Sequence, residues 1–167
     1  ILVVGSVAFD SVETPFGKAE EVLGGSATYF STSASFFTGV SLVAVVGEDF
    51  PDKHIETLKG KGIDVAGLRK VPGKTFRWKG YYGYDLNQAH TLETHLNVFS
   101  AFNPEVPAAY REAPFVFLAN IDPELQMKVL DQVKKPRLVA CDTMNFWIEG
   151  QQCWQAGRAE HAEGGGQ

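Results

Sequence analysis

Long apolar runs, blocks of like charge and clustered cysteines are all missing from these 167 residues. The longest apolar stretches fall far short of the roughly 20 residues a membrane-spanning helix needs, so no membrane partner is expected. Lysine and arginine never gather into a run and the net charge is −5, which argues against nucleic acid as the main partner. Cys141 and Cys153 are the two cysteines, without metal-ligand spacing. That usage fits a reducing cytoplasm better than a disulfide scaffold. His54, His90, His95 and His161 lie too far apart to suggest a metal site. A nicotinamide fingerprint is also lacking, because Gly5 is followed by Ser6-Val7-Ala8 with no second glycine. The chain opens at Ile1 with neither methionine nor a charged-then-apolar leader, so its first residues are expected to have been trimmed or never captured.

What is present is a globular composition, 44% hydrophobic and 21% charged, in a length that normally makes one domain with a real core. The organising stretch runs from Leu23 to Asp49. Gly24-Gly25 leads into a segment where Ala27, Phe30, Ala34 and Phe37 recur at helical steps. Ser26 is expected to cap this helix and Gly39 to stop it in a left-handed turn. Leu42 to Val46 is all apolar and reads as a strand buried on both faces. The two glycines would let a ligand approach the backbone at the positive end of the helix; a tight turn alone would use them equally well.

Ile1 to Val4 reads as another buried strand. Asp10 lies just beyond its carboxyl end, where open α/β sheets bind ligands, and a carboxylate there can accept two hydrogen bonds from neighbouring hydroxyls. Its bland alternative is an exposed turn aspartate. Pro51 is expected to start a helix with Ile55 and Leu58 inward, and Asp49 to cap it.

The period then becomes two. Phe76, Trp78, Gly80, Tyr82 and Tyr84 alternate with polar neighbours, and Leu92, Leu96 and Val98 form a second run after a loop at 85–90. These read as an accessory two-stranded sheet, or as a plain edge hairpin, and their exposed aromatics call for a covering partner. Gly73-Lys74-Thr75 imitates the end of a P-loop, but the glycine it requires falls at Leu68, and a strand rather than a helix follows. Two further strands, Phe115 to Ala119 and Leu138 to Cys141, flank a helix that Asp122-Pro123 should cap and start, with Leu125, Val129, Leu130 and Val133 inward. Strand and helix alternate, the signature of a parallel sheet covered on both faces. Asn120 and Asn145 fall past the ends of these last strands and are secondary ligand candidates, or satisfied loop amides. From Gln151 the chain loses apolar periodicity and ends in Gly164-Gly165-Gly166-Gln167, which reads as disorder, an altered reading frame or a sequencing artefact.

Gly24-Gly25-Ser26-Ala27-Thr28, the small-residue helix after it, Val46-Gly47-Glu48-Asp49, and Ile1 to Gly5 followed by Asp10 resemble the N-terminal signature of the PfkB, or ribokinase-like, carbohydrate kinases. The resemblance extends from Ile1 to about Gly150. It implies a three-layer α/β/α fold with a mostly parallel sheet plus a small β lid at about 10–18 and 74–99, which in that family covers the sugar and often clasps a dimer. It implies ATP-dependent phosphoryl transfer, with Mg²⁺, to a hydroxyl of a sugar or nucleoside, in the cytoplasm. Asp10, Gly24, Gly25, Tyr29, Asn120 and Asn145 are then the expected substrate-binding residues. Tyr29 stands where the family often has asparagine. The family's C-terminal signature, aspartate-threonine-x-glycine-alanine-glycine-aspartate, is absent: Asp142-Thr143 is followed by Met144-Asn145-Phe146-Trp147, which supplies none of its glycines. The sequence therefore yields no catalytic residue and no ATP or metal motif. The expectation is a truncated kinase, inactive alone, with 1–150 as the substrate-binding part and 151–167 as an atypical tail. The alternative is a non-catalytic sugar-binding or lid-dimerising module.

Overall fold

A computed structural model describes residues 1–150 of the chain. Five parallel strands form the central sheet: β1 (Leu2–Val4), β4 (Val40–Gly47), β5 (Ile63–Val71), β8 (Phe115–Leu118) and β9 (Leu138–Cys141), in the order β5-β4-β1-β8-β9. β1 lies at the centre because its three residues are fully buried on both faces. Helices α1 (Ser26–Ala34) and α2 (Asp52–Gly60) cover one face over Val3, Leu42, Ala44 and Val46, with Leu58 of α2 buried among them. Helix α3 (Pro123–Leu130) and two short 3₁₀ turns cover the other, over Leu2, Val4, Val43, Val116 and Leu118. The result is three layers. α3 starts as expected, with the Asp122 carboxylate accepting from the Glu124 N–H at 2.8 Å. A short helix, α4 (Asn145–Gly150), follows β9. Among the described residues no helix is long and apolar enough to cross a membrane.

A second sheet of four strands stands beside the first: β2 (Ala8–Thr14), β3 (Gly17–Gly24), β6 (Phe76–Tyr82) and β7 (Ala89–His95), ordered β3-β2-β6-β7. β2 pairs in parallel with β6 and antiparallel with β3. The accessory sheet therefore has four strands where the alternation shows two.

Several expectations are corrected. β5 and β3 carry no clean period of two because each is bulged. Val43 pairs with Gly67 where Ser41 pairs with Asp64, and Val12 pairs with Ala19 where Asp10 pairs with Val22. The central sheet thus has five strands, not four. β7 lies three residues earlier than expected, and Val98 leaves the sheet to donate its N–H to Lys74 and pack into the core. α1 ends at Ala34, leaving Phe37 beyond it and 87% exposed, and Gly39 is not left-handed. The expected disorder of 151–167 falls outside the described residues.

Candidate functional site

The site forms where the two sheets meet. Strand β1 ends at Val4, and the chain turns through Gly5, Ser6 and Val7 into β2. Gly5 is required here, since a Cβ would run into Ala119 and crowd Ala27. α1 arrives on the same spot from β3. Its N-cap position is Gly25, in the left-handed region at φ 93°, where any side chain would also collide with the Ser6 carbonyl. Ser26 is therefore not the cap. Its backbone N–H donates to the Ser6 hydroxyl at 3.1 Å, and its own hydroxyl reaches Ser6 Oγ at 3.0 Å and the Asn120 carbonyl at 3.2 Å. The Ala27 N–H is taken by the Ser6 carbonyl at 3.0 Å. The helix start is thus closed by Ser6, a residue that no local pattern marks for this role.

Asp10 supplies the open chemistry. Its Oδ2 accepts from the Gly25 N–H and from the Tyr29 hydroxyl, each at 3.3 Å. Gly24 passes directly behind this carboxylate, and a side chain at 24 would overlap it. Both bonds are long, and no partner occupies Oδ1 among the described residues. Burial pushes the Asp10 carboxyl above its usual range, with the Gly25 and Tyr29 donors pulling partly the other way. Burial also raises the Tyr29 phenol, with the Asp10 charge, the shared hydrogen bond and nearby Tyr82 adding to it. A half-buried carboxylate with spare acceptor capacity is suited to a ligand that brings hydroxyl donors.

The structure thus brings together Asp10, Gly24, Gly25 and Tyr29. Asn120 joins them indirectly, through its carbonyl on Ser26, and its side-chain Oδ1 is buried without a hydrogen-bond partner among the described residues. Asn145 opens α4, but its side chain lies outside the described residues.

Asp49 is not the cap of α2, which has Pro51 at that position and no side-chain cap. Its carboxylate accepts from Thr75 N–H at 2.8 Å and Thr75 Oγ1 at 2.7 Å, and its other oxygen meets Arg77 Nη2 at 2.9 Å. Burial alone would raise its pKa, but the Thr75 and Arg77 hydrogen bonds outweigh this and hold it below the usual carboxylate value. Arg77 uses its other nitrogens on Glu21 at 2.7 Å and on the Thr75 carbonyl at 3.0 Å, and its guanidinium lies over the Phe9 ring. One guanidinium therefore ties β6, β3 and the loop after β4 together, next to the residue that precedes Asp10. Gly73-Lys74-Thr75 belongs to this joint: Thr75 is fully buried and its hydroxyl accepts from the Gly47 N–H at 3.0 Å.

Known proteins share this fold. A nucleoside kinase from Methanocaldococcus jannaschii, an archaeal member of the ribokinase family, superposes with a TM-score of 0.64 at 20% identity over 92% of this chain and 54% of its own. An uncharacterised sugar kinase from Pyrococcus horikoshii gives 0.65 at 20% identity, over 95% and 58%. The fold is ribokinase-like. In sequence, cytidine kinase of Thermococcus kodakarensis is 30% identical over 139 residues, 83% of this chain. The chain spans about half the length of that relative, 49%. No family model matches the chain. The ribokinase-like resemblance read from Gly24 to Thr28 and from Val46 to Asp49 leads to the same group of kinases.

The fit to a nucleotide and its metal is a separate matter. Among the described residues no group of three or more histidines, cysteines or carboxylates could hold a metal ion. The glycine-alanine-glycine-aspartate turn that would cradle a phosphate in the resembled kinases does not occur in the sequence. The described residues do not fit ATP and Mg²⁺.

Proposed function

We propose that this chain is the acceptor-binding portion of a ribokinase-family kinase, whose complete form moves a phosphoryl group from ATP to a hydroxyl of a sugar or nucleoside. One observation carries the reading: the Asp10 carboxylate, half-buried against Gly24-Gly25 and held on one oxygen by Gly25 N–H and Tyr29 OH, keeps its other oxygen for a ligand. The ribokinase-like resemblance implies a substrate-binding aspartate at this place, and a 30% identical relative is a cytidine kinase. Asp10 would accept one or two hydroxyl protons of a vicinal diol, and Asn120 would offer its unpartnered amide oxygen to a donor nearby. The four-stranded sheet is the lid over this ligand. Exposed Leu92 on β7 and Leu138 on β9 mark the two edges through which a second copy would pair, making a homodimer. Scattered cysteines, with Cys141 free and exposed, suit a reducing compartment such as the cytoplasm.

Binding and catalysis separate in this reading. Phosphoryl transfer needs a base for the acceptor hydroxyl, worth about 10²–10⁴-fold, and preorganised donors for the transferring charge. Neither is found among the residues described here, so the chain binds its acceptor without phosphorylating it. Calorimetry with ribose and cytidine tests the binding half: measurable affinity that Asp10→Ala abolishes supports it, and affinity indifferent to Asp10→Ala refutes it. ADP release with the same compounds, ATP and Mg²⁺ tests the other half. Turnover of about 1 s⁻¹ or faster, the low end for kinases, would place catalytic residues in this chain after all.

A further inference from the structure

The face of the second sheet that carries Asp10 also carries an aromatic shelf. β2 and β6 are parallel and in register, Asp10 beside Trp78 and Val12 beside Gly80, so these side chains share one face, with Tyr82 two residues further on. Gly80 is buried because the Trp78 indole lies across it; a Cβ at 80 would overlap the far edge of that ring. The indole N–H is fixed by the Thr91 hydroxyl on β7 at 3.1 Å. A large ring is thus laid along the strand, pinned at its polar atom and half-buried, with Val12 beside it. From the body side, Tyr29 stands with its hydroxyl on Asp10 and its ring more than half exposed.

A free pentose would use the carboxylate and leave this shelf uncovered. We infer that the acceptor is a nucleoside, its ribose hydroxyls on Asp10 and its base lying on the Trp78–Gly80 shelf beside Tyr29. This deepens the acceptor-binding reading and rests on it. The two parts are chemically distinct, since Asp10 recognises a diol and the indole a planar ring, whose stacking is commonly worth about 1–3 kcal/mol, or about 5- to 150-fold in affinity. Trp78 is therefore a specificity-determining residue, and Gly80 is the position that lets its ring lie down.

The test compares cytidine with methyl β-D-ribofuranoside, the same sugar without a base, by calorimetry on the 167-residue chain. Cytidine should bind at least about tenfold more tightly. Trp78→Leu should bring the two ligands within about twofold, and Trp78→Phe should keep most of the preference. Gly80→Ala should act like Trp78→Leu by displacing the ring, which covers the case in which Trp78→Leu fails to fold. Asp10→Asn should weaken both ligands. Equal binding of the two by the parent chain, with Asp10→Asn still weakening both, overturns the nucleoside inference and leaves the Asp10 reading standing. No binding of either overturns both. A Trp78→Leu chain that loses a dimer in light scattering yet keeps its cytidine preference assigns the shelf to a second copy and overturns the inference.

Discussion

The five-stranded and four-stranded sheets meet at Phe9 and Asp10 and are held by different forces. In the first, β1 and β4 contribute Leu2, Val3, Val4, Leu42, Val43, Ala44 and Val46 at no more than 1% exposure, between helices on both faces. In the second, every residue of β7 is exposed, as is most of β3, and the strands are tied by ion pairs such as Lys79–Glu93 and by the Asp49–Thr75–Arg77–Glu21 joint. Burial of apolar area is non-directional and large in sum, whereas exposed ion pairs contribute little each. The body is therefore the stable scaffold and the second sheet the adjustable part. The Asp10 carboxylate is carried by the second sheet and held by donors from the body's helix. Local opening should concentrate where apolar contacts are few.

The largest expected effect separates the two directly. Leu42→Ala, in the centre of the body, should cost about 2–5 kcal/mol in urea denaturation. Leu92→Ala on exposed β7 should stay within about 0.5 kcal/mol. Equal losses would break the contrast.

Asp10 comes next, because it should separate binding from stability. Asp10→Asn should cost about 1.5–3 kcal/mol of acceptor affinity while the melting temperature holds or rises. The sign follows from the raised carboxyl. With the folded pKa above the unfolded one, the folded state holds the proton more tightly. Stability therefore falls as pH rises from the unfolded toward the folded value, and neutralising the group removes that penalty. Ligand affinity should run the other way, declining as pH falls through the raised folded value. A melting temperature that drops sharply in Asp10→Asn would make Asp10 a structural residue.

Asp49 should behave oppositely. Asp49→Ala unpairs the fully buried Thr75 and releases Arg77, at a cost of about 1–3 kcal/mol. Amide exchange should quicken in β6 and stay slow in β1. Its depressed pKa makes the contribution complete above the ordinary carboxylate value and lost as pH falls through the lower folded one. Faster exchange spread evenly over both sheets would mean that the joint supports the whole molecule.

The smallest effect concerns the exposed pair on the second sheet. Lys79→Ala should change stability by less than about 0.5 kcal/mol, since Lys79 and Glu93 are both half exposed. A loss above about 1 kcal/mol would show that surface charges do more to hold this sheet than their exposure allows.

Elements whose pattern is local could be read from the order of residues alone. Leu42 to Val46 is apolar throughout because both faces of β4 are covered, and Asp122-Pro123 marks a helix start because capping needs one carboxylate and one free N–H. Asp10, Gly24, Gly25 and Tyr29 were legible as candidates because a family signature writes them within twenty residues. The tertiary structure decided what depends on partners distant in sequence. The bulges in β3 and β5 are set by the registers of β2 and β4, so neither strand has a period to read. Ser6 closes the start of α1 from twenty residues away, and Asp49 leaves the helix beside it for Thr75 and Arg77. A hydroxyl or carboxylate has several local partners within reach at equal sequence cost, and packing alone chooses among them.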